Sequence, residues 1–247
     1  MIQDGMFDDF KIDEVYALHN WPELPLGTFG VNSGPMMAAV DEFDITVKGK
    51  GGHAASPHLA IDPVVISAQV ISAVQTIISR STDPVDKALI SITKINAGTA
   101  YNLIDDQVKM GGTIRTFRRE TRAYIEKRLN ELCKGIADAH GAEIKIEFDL
   151  VNKYPPTINS KEETKFAANV AKDLVGDDKV ITDIDPSMGG EDFSYLLEKK
   201  PGSYLYLGQG DAEHSAHLHT TKYDFNDNLL PIGVNFWVDL VQKYFSK

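Results

Sequence analysis

The sequence predicts an α/β protein in which one domain is inserted into another. Residues 38–150 change between strand-like and helix-like hydrophobic patterns in the order strand, helix, strand, strand, helix, strand. The flanking residues, 1–37 and 151–247, are a short leading segment and a trailing region with helices and a strand, which suits one interrupted α/β domain. A chain of 247 residues that is 43% hydrophobic is long enough to bury one large core or two smaller ones.

The insertion begins with a predicted strand at residues 41–47. Phe43, Ile45 and Val47 occupy every second position there, as in a strand with one buried face. Residues 49–52 follow as a glycine-rich turn.

The first helix of the insertion is predicted to start at Asp62, an N-cap residue, with Pro63 in the first turn. It is expected to end near Arg80. Its apolar positions form one broad face: Val64, Val65, Ala68, Ile71, Val74 and Ile78.

The rest of the insertion contains two strands, a helix and a last strand. Strands rich in Ile and Thr are predicted at 89–95 and 108–117, and the last one at 144–150. Gly141 stands where a helix C-cap belongs. The apolar positions of the helix before it have helical spacing: Ile125, Leu129, Leu132, Cys133 and Ile136. This order is the pattern of a ferredoxin-like split βαβ domain.

The trailing region has three predicted elements of its own. They are a helix near 162–174, a strand at 204–208 and a final helix around 230–245. Together with the leading segment through Met37 they are typical of pieces of one α/β domain.

The charge balance excludes some partners. Lys and Arg number 25 against 36 Asp and Glu, so the net charge of -11 disfavours nucleic acid and anionic membrane surfaces. Cys133 is the single cysteine and cannot form an internal disulfide, which favours a reducing compartment and predicts a cytoplasmic protein. No signal pattern opens the chain and no apolar run approaches roughly 20 residues, so neither secretion nor membrane insertion is expected.

Two histidines of the flanking parts are candidates for metal binding. His19 follows an apolar strand-like run, and we expect it at the end of a strand, aimed by the proline-stiffened loop that begins at Pro22. His219 lies between the last strand and the last helix, where its alternating neighbour His217 could equally point into solvent. Taken singly, each histidine is more often a hydrogen-bonded loop or core residue.

The insertion carries three further candidates. His53 lies on a loop of small residues, where a ligand can approach the backbone, although a simple turn that contains a histidine is the commoner case. Asn102 and Arg115 lie on the same domain. Arg115, inside an apolar strand, could hold a carboxylate by a bidentate pair or belong to a structural ion pair.

A glycine turn near residue 190 is the last candidate. Gly189, Gly190, Glu191 and Asp192 read as a turn that opens a helix, where backbone amides favour an anion. The acidic pair equally suits the helix dipole. Phosphate-loop, dinucleotide-binding, serine-hydrolase and His-Glu-x-x-His motifs are absent from the sequence.

Taken together, five segments resemble one enzyme family, the aminoacylase, hippurate hydrolase and carboxypeptidase family of zinc metallopeptidases. Its amidohydrolase branch, which acts on N-acyl, N-benzoyl or auxin conjugates of amino acids, is the most similar. The resemblance covers essentially the whole chain. The segments, in order, are Leu18-His19-Asn20-Trp21-Pro22, Gly49-Lys50-Gly51-Gly52-His53-Ala54-Ala55, Gly112-Thr113-Ile114-Arg115-Thr116-Phe117, Gly189-Gly190-Glu191-Asp192-Phe193 and Leu218-His219-Thr220.

The resemblance implies a fold and an assembly. In the family a catalytic α/β domain holds two metal ions, and an inserted ferredoxin-like lid domain pairs with its twin in a homodimer. The expected fold is therefore an interrupted, partial zinc-peptidase catalytic domain with an inserted lid and dimerisation domain.

It also implies roles for single residues. His19 and His219 match the family's two late metal ligands, and His53 matches the lid histidine that steadies the oxyanion in the partner subunit. Asn102 and Arg115 match lid positions that grip the substrate, with Arg115 on its carboxylate. Gly189, Gly190 and Glu191 match a loop that lines the pocket. The implied cofactors are two divalent metal ions, Zn²⁺ first and Mn²⁺ or Co²⁺ as alternatives, which would activate the attacking water.

The sequence departs from the family in one respect. The family's first metal ligands, a Cys or Asp and a His, and its Glu-Glu pair, which supplies the general base and a ligand, are not among these 247 residues. Cys133 does not replace the missing cysteine, because it lies on the apolar face of a helix. The expectation is a truncated enzyme that is inactive alone. The alternatives are a non-catalytic dimerisation or binding module, and a peptidase or deacylase of different acyl preference.

Overall fold

The structure is a computed structural model that describes residues 1–149 and 153–246. The chain divides into two units. Unit 1 comprises Met1–Met37, Thr157–Ser187 and Glu191–Lys247, and unit 2 comprises Ala38–Pro156 and Met188–Gly190. Leu150, where the last predicted strand of the insertion ends, lies outside the described residues, as does Val151.

Both units contain strands and helices, so the α/β class is confirmed. The strands are β1 (Val15–Pro25), β2 (Phe29–Gly30), β3 (Gly34–Met37), β4 (Ala39–Lys48), β5 (Gly52–His53), β6 (Ala88–Asn96), β7 (Leu103–Ile104), β8 (Gln107–Thr116), β9 (Glu143–Phe148), β10 (Thr157–Asn159), β11 (Val180–Ile181) and β12 (Gly202–Gly210). The α-helices are α1 (Met6–Asp9), α2 (Pro63–Thr76), α3 (Arg119–His140), α4 (Lys161–Val175), α5 (Ser194–Leu197) and α6 (Leu229–Tyr244).

The main sheet of unit 1 has the strand order β1-β12-β2-β11. β1 runs parallel to β12 along the edge of this sheet, and β12 is buried along nearly its whole length. Gly208 allows the close approach of these two strands, because a Cβ atom there would lie 2.1 Å from the carbonyl oxygen of Pro25. β12 therefore forms a fixed platform beside the strand that carries His19.

Two helices cover this sheet with their apolar faces. α4 buries a stripe of small residues and ends at Gly176, whose φ of 94° only glycine adopts readily. α6 buries Phe236 and Leu240 against Phe29 of the sheet. The predicted helices near 162–174 and 230–245 are thus confirmed.

Unit 2 is built on a four-stranded antiparallel sheet with the order β6-β8-β4-β9. Along the chain its elements are β4, α2, β6, β8, α3 and β9, the order that the hydrophobic pattern predicted. The pairing of Phe43 with Gly112 shows why a glycine lies inside β8, since a Cβ atom at Gly112 would lie 2.7 Å from the ring of Phe43. A short pair, β5 with β7, adjoins His53.

The two long helices of unit 2 begin and end as the sequence indicated. The side chain of Asp62 accepts hydrogen bonds from the backbone N–H groups of Val64 and Val65 at 2.8 and 3.4 Å. α3 ends at Gly141 with φ 65°. Cys133 is buried in the core, as predicted, and burial raises the pKa of its thiol to about 11.

One helical segment corrects the expectation about apolar runs. Pro63–Ser81, which is α2 with a π-helical turn at its end, has 19 residues and a mean hydropathy of 1.3, enough on length and composition to cross a membrane. Ile66, Val70 and Val74 on this segment are buried in the core of unit 2, whereas Val64 and Val65 are exposed.

Candidate functional site

His19 lies inside β1 and not at the end of a strand, so that expectation was wrong. β1 continues from Val15 to Pro25, with an irregular register after Trp21. The strand continues through Pro22 because β1 is an edge strand, where a residue without a backbone N–H is tolerated. His19 pairs with Tyr206 of β12 and is half-buried.

The imidazole of His19 is oriented by the backbone of the next residue, Asn20. Nδ1 lies 2.7 Å from the carbonyl oxygen of Asn20, which can only accept a hydrogen bond, so Nδ1 carries the proton. The lone pair is therefore on Nε2. A histidine that donates one ring N–H to a carbonyl and keeps the other nitrogen bare has the arrangement of a metal ligand. The rings of Trp21 and Tyr204 lie 6.1 and 6.2 Å from that of His19 and restrict its rotation.

His219 lies on an exposed loop with unusual backbone geometry. It is the one non-glycine residue with positive φ, 59°, in the described part of the chain. Residues other than glycine rarely adopt a positive φ, so contacts made by neighbouring residues must hold the backbone of His219 in this conformation. Thr220 Oγ1 donates to the carbonyl of His217, and His217 Nδ1 lies 2.7 Å from Glu23 Oε1. The imidazole of His219 itself has no hydrogen bond within residues 1–149 and 153–246.

The described residues do not by themselves fit a metal ion. Within that part of the chain, no three His, Cys, Asp or Glu side chains gather in an arrangement that could hold one. Catalytic zinc sites use three protein ligands. His19 has a suitable tautomer and His219 an uncommitted ring, but two histidines do not complete a site.

The glycine turn does not open an anion-binding helix, which corrects that interpretation. The helix that follows, α5, has four residues, so few aligned peptide dipoles stand behind its amino end. Gly190 is required for packing instead, because a Cβ atom there would lie 2.0 Å from a methyl carbon of Val40. Gly189 accepts a hydrogen bond from the backbone N–H of Ala38 at 2.9 Å.

Glu191 is held by its own neighbours in unit 1. Tyr204 Oη donates to one carboxylate oxygen at 2.7 Å, and the backbone N–H of Phe193 donates to the other at 3.3 Å. Burial, followed by the hydrogen bond to Glu191, raises the pKa of Tyr204. The pKa of Asp192 is also raised, first by its hydrogen bond with Glu191 and then by burial. A role for Glu191 in substrate binding stays a prediction.

His53 in unit 2 has the opposite tautomer to His19. It ends β5, and its exposed ring accepts a hydrogen bond at Nδ1 from the backbone N–H of Ala55 at 3.1 Å. In the neutral ring the proton is therefore on Nε2, where it can be donated to an oxyanion. The carbonyl of Asn102 accepts the N–H of Ala54 at 3.0 Å, so the backbones of the two candidate positions are joined while the Asn102 side chain remains exposed.

Arg115 lies half-buried in β8, and its guanidinium makes no hydrogen bond within residues 1–149 and 153–246. Burial lowers the pKa of its guanidinium, and the charges of Glu42 and Asp41 oppose this shift. The carboxylate of Asp41 is not available to pair with Arg115, because Arg122 donates a hydrogen bond to each of its oxygens at 2.6 Å. The guanidinium of Arg115 forms no ion pair in the described part of the chain, which weakens the alternative of a structural ion pair. Binding of an external carboxylate stays a prediction.

Sequence reasoning missed a set of polar residues behind the two histidines of unit 1. Asn20, Gln209 and Tyr223 hydrogen-bond to one another across separations of up to 203 residues. Asn20 and Tyr223 lie close in sequence to His19 and His219, but nothing in the sequence pattern joins them. The parallel pairing of β1 with β12 brings Asn20 close to Gln209, and the segment that follows β12 carries Tyr223.

Comparison with known proteins gives a consistent result. The sequence profile of peptidase family M20/M25/M40 matches residues 1–243. A hippurate hydrolase from Campylobacter jejuni subsp. jejuni is 38% identical over 246 residues, covering 100% of this chain and 63% of that protein. An N-acetyldiaminopimelate deacetylase from Lactobacillus helveticus is 39% identical over 234 residues, covering 94% and 60%.

A solved structure is similar as well. The crystal structure of a dinuclear metal-binding peptidase of the M20 family from Bacillus subtilis matches with a TM-score of 0.78 at 30% identity, covering 97% of this chain and 58% of that one. The chain thus spans between 58% and 63% of the length of these three relatives.

Proposed function

Because this chain belongs to peptidase family M20/M25/M40, a family of hydrolases, we propose that it serves a metal-dependent amidohydrolase that cleaves the amide bond of N-acyl amino acids. The names of two relatives support this substrate class, since hippurate and N-acetyldiaminopimelate are both N-acyl amino acids. N-acetyl and N-benzoyl amino acids are the proposed substrates. A peptidase or a deacylase of different acyl preference is the alternative within the family.

The observation that carries this proposal is the uncommitted guanidinium of Arg115. The guanidinium of Arg115 is half-buried and makes no hydrogen bond or ion pair among the described residues. Of the two carboxylates whose charges act on it, Glu42 and Asp41, the second is held by Arg122, so the donors of Arg115 are available for a ligand. The planar guanidinium matches a carboxylate with two parallel hydrogen bonds. Every N-acyl amino acid offers such a carboxylate at a fixed distance from the amide bond. Asn102 is proposed to contact the same substrate.

His53 is proposed to stabilise the oxyanion that forms during attack on the acyl carbonyl. Its Nε2–H is available because Nδ1 is used by the backbone of Ala55. A neutral imidazole donor of this kind costs no proton transfer as charge develops on the oxygen. We propose further that unit 2 is a ferredoxin-like lid, that it pairs with a second copy in a homodimer, and that His53 acts in the partner's site. A cytoplasmic location is proposed from the single, buried Cys133.

The proposed cofactors are two divalent metal ions, with Zn²⁺ favoured over Mn²⁺ and Co²⁺. His19 and His219 would each provide one ligand, His19 through Nε2. The described residues do not complete such a site, because they bring no three suitable side chains together. The family's expected general base and remaining ligands are not among residues 1–247, so we propose that this chain alone does not turn over.

A chimaera with a relative tests the proposed function. Residues 1–247 would replace the aligned 246-residue region of the Campylobacter hippurate hydrolase. We expect hydrolysis of N-benzoylglycine by the chimaera and none by the 247-residue chain. Arg115→Gln in the chimaera should raise KM about tenfold or more with little change in kcat, as expected for a lost charge-assisted hydrogen bond.

Arg118→Gln is the matched control, because Arg118 is an exposed arginine of the same unit that pairs with Asp86 at 2.9 Å. Equal KM values for the Arg115 variant and this control would exclude the carboxylate role. A chimaera that folds and dimerises yet hydrolyses no N-acyl amino acid would favour a non-catalytic dimerisation or binding module.

A further inference from the structure

We propose that Gln209 is a positioning residue that holds the loop carrying His219 against the strand carrying His19. The loop comprises residues 211–228, between β12 and α6, and is called the His219 loop below. The importance of both histidines rests on the function proposed above. The attachment of the loop by hydrogen bonds does not depend on that proposed function.

The side chain of Gln209 is fully buried at the end of β12 and uses both ends of its amide. Its Oε1 accepts from Asn20 Nδ2 at 2.8 Å and from Tyr223 Oη at 3.2 Å. Its Nε2 donates to the carbonyl of Asp224 at 3.1 Å. One buried amide thus joins β1 to two consecutive residues of the His219 loop.

Asn20 connects this amide to His19. The Asn20 side chain also donates to Tyr223 Oη at 2.7 Å, while its backbone carbonyl accepts the Nδ1 proton of His19. The residue that sets the tautomer of His19 therefore shares its side-chain partners with the His219 loop. Any displacement of Asn20 would disturb both histidines.

A second attachment lies further along the same loop. Asn226, 1% exposed, donates through Nδ2 to the carbonyl of Gln209 at 3.0 Å and to Asp211 Oδ2 at 2.8 Å. The contacts from Tyr223, Asp224 and Asn226 therefore converge on one residue of β12. A loop without helix or strand is ordinarily mobile, so such anchors decide how well His219 is placed.

A purely structural role is the competing explanation, since buried amides need hydrogen bonds wherever they lie. The two explanations differ in where the effect of a mutation appears. A structural residue would loosen unit 1 as a whole. A positioning residue would loosen the His219 loop first and weaken what His219 binds.

Hydrogen exchange read by mass spectrometry on the 247-residue protein separates them. Gln209→Leu should speed amide exchange in residues 217–224 about tenfold or more, because three hydrogen bonds are lost, with little change in β2 and α4. Thr164→Val is the control. Thr164 is also buried in unit 1, and its hydroxyl contacts Ser160 and Ser203, which lie outside the His219 loop.

Tyr223→Phe keeps the proposal testable if Gln209→Leu does not fold. It removes one hydroxyl that bonds to Gln209 and Asn20 while retaining the ring. We expect a smaller but still local increase in exchange in the same residues. Unchanged exchange there, or an increase spread over unit 1 as with Thr164→Val, would overturn the positioning role.

Titration of the chimaera with Zn²⁺, followed by NMR of the imidazole signals, relates the anchor to the proposed ligand. Gln209→Leu should weaken a His219-dependent zinc affinity about tenfold or more, the usual effect of removing a residue behind a metal ligand. If His219→Ala lowers the zinc affinity but Gln209→Leu leaves it equal to wild type, Gln209 does not position His219 for metal binding. If His219→Ala changes nothing, the metal role of His219 fails, and the exchange experiment alone decides on Gln209.

Discussion

Two candidate residues of unit 1 and two of unit 2 are held in opposite ways. In unit 1, His19 and Glu191 are fixed by hydrogen bonds that use their own side chains. In unit 2, the exposed ring of His53 has one backbone contact, and Arg115 has no hydrogen-bonded partner in the described residues. Groups that are fixed inward suit a rigid site, whereas uncommitted donors suit a ligand that arrives from outside.

The two histidines show the same difference on the scale of one ring. His19 donates through Nδ1 and keeps a lone pair on Nε2, whereas His53 accepts at Nδ1 and keeps a proton on Nε2. The first arrangement suits a cation and the second an anion. One backbone contact to each ring therefore leaves His19 suited to bind a cation and His53 suited to donate to an anion.

The largest effect, on stability and on KM, is expected from loss of the ion pair between Asp41 and Arg122. Arg122→Met would leave the buried carboxylate of Asp41 with Lys153, 3.6 Å away, as its remaining ion-pair partner among residues 1–149 and 153–246. Removing one member of a buried ion pair typically destabilises by about 3 kcal/mol or more, which urea unfolding measures. Asp41 would also become available to Arg115, so the chimaera should show a raised KM as well.

Lys134→Met is the control for that variant. Lys134 pairs with Asp138 at 2.5 Å, but both side chains are more than half exposed, so little stability should be lost. A wild-type KM in a destabilised Arg122→Met chimaera would mean that Asp41 does not control Arg115.

A smaller effect, on catalysis alone, is expected at His53. In the chimaera, His53→Ala should lower kcat about a hundredfold with little change in KM, the size typical of losing one oxyanion donor. Stability should hardly change, because the ring is exposed. His58→Ala removes an exposed histidine nearby and serves as control. A kcat within twofold of wild type, a threshold well inside the expected loss, would exclude the oxyanion role.

Local patterns in the sequence predicted the elements of the fold. The start of α2 follows from Asp62 and Pro63, and the end of α3 from Gly141, because caps depend on neighbouring residues only. β1 differs from its prediction, because it lies at a sheet edge and continues past Pro22. The short strands β2, β3, β7, β10 and β11 were not predicted. Edge position is a property of the whole sheet and leaves no local signal.

The site was predicted as a set of residues but not as a set of contacts. The state of Arg115 depends on the pairing of Asp41 with Arg122, 81 residues away. The contact between Asn20 and Gln209 spans 189 residues. Such partners are chosen by tertiary packing, so a sequence motif names the reactive side chain without the groups that orient it.

The smallest effect is expected in the His219 loop, through the pair of Asp211 and His214. Asp211 Oδ1 lies 2.8 Å from His214 Nδ1, and this contact leads the causes that lower the pKa of Asp211 to about 2 and raise that of His214. The charges of Glu213 and Asp224 raise the pKa of His214 further. The pair therefore links the start of the loop most firmly when both groups are charged.

The pH window follows from the direction of each shift. Asp211 contributes stability above its ordinary pKa of 3.8 and loses it as the pH falls through about 2. His214 contributes fully below its ordinary pKa of 6.5 and loses its contribution as the pH rises through its raised pKa.

His214→Gln should therefore lower Tm most near pH 5 and least at alkaline pH, in scanning calorimetry from pH 2 to 9. His58→Gln, in unit 2, measures the effect of losing an imidazole elsewhere. A Tm difference for His214→Gln that is the same at pH 5 and pH 9 would show that the ion pair does not hold the loop, and would leave Gln209 as its main anchor.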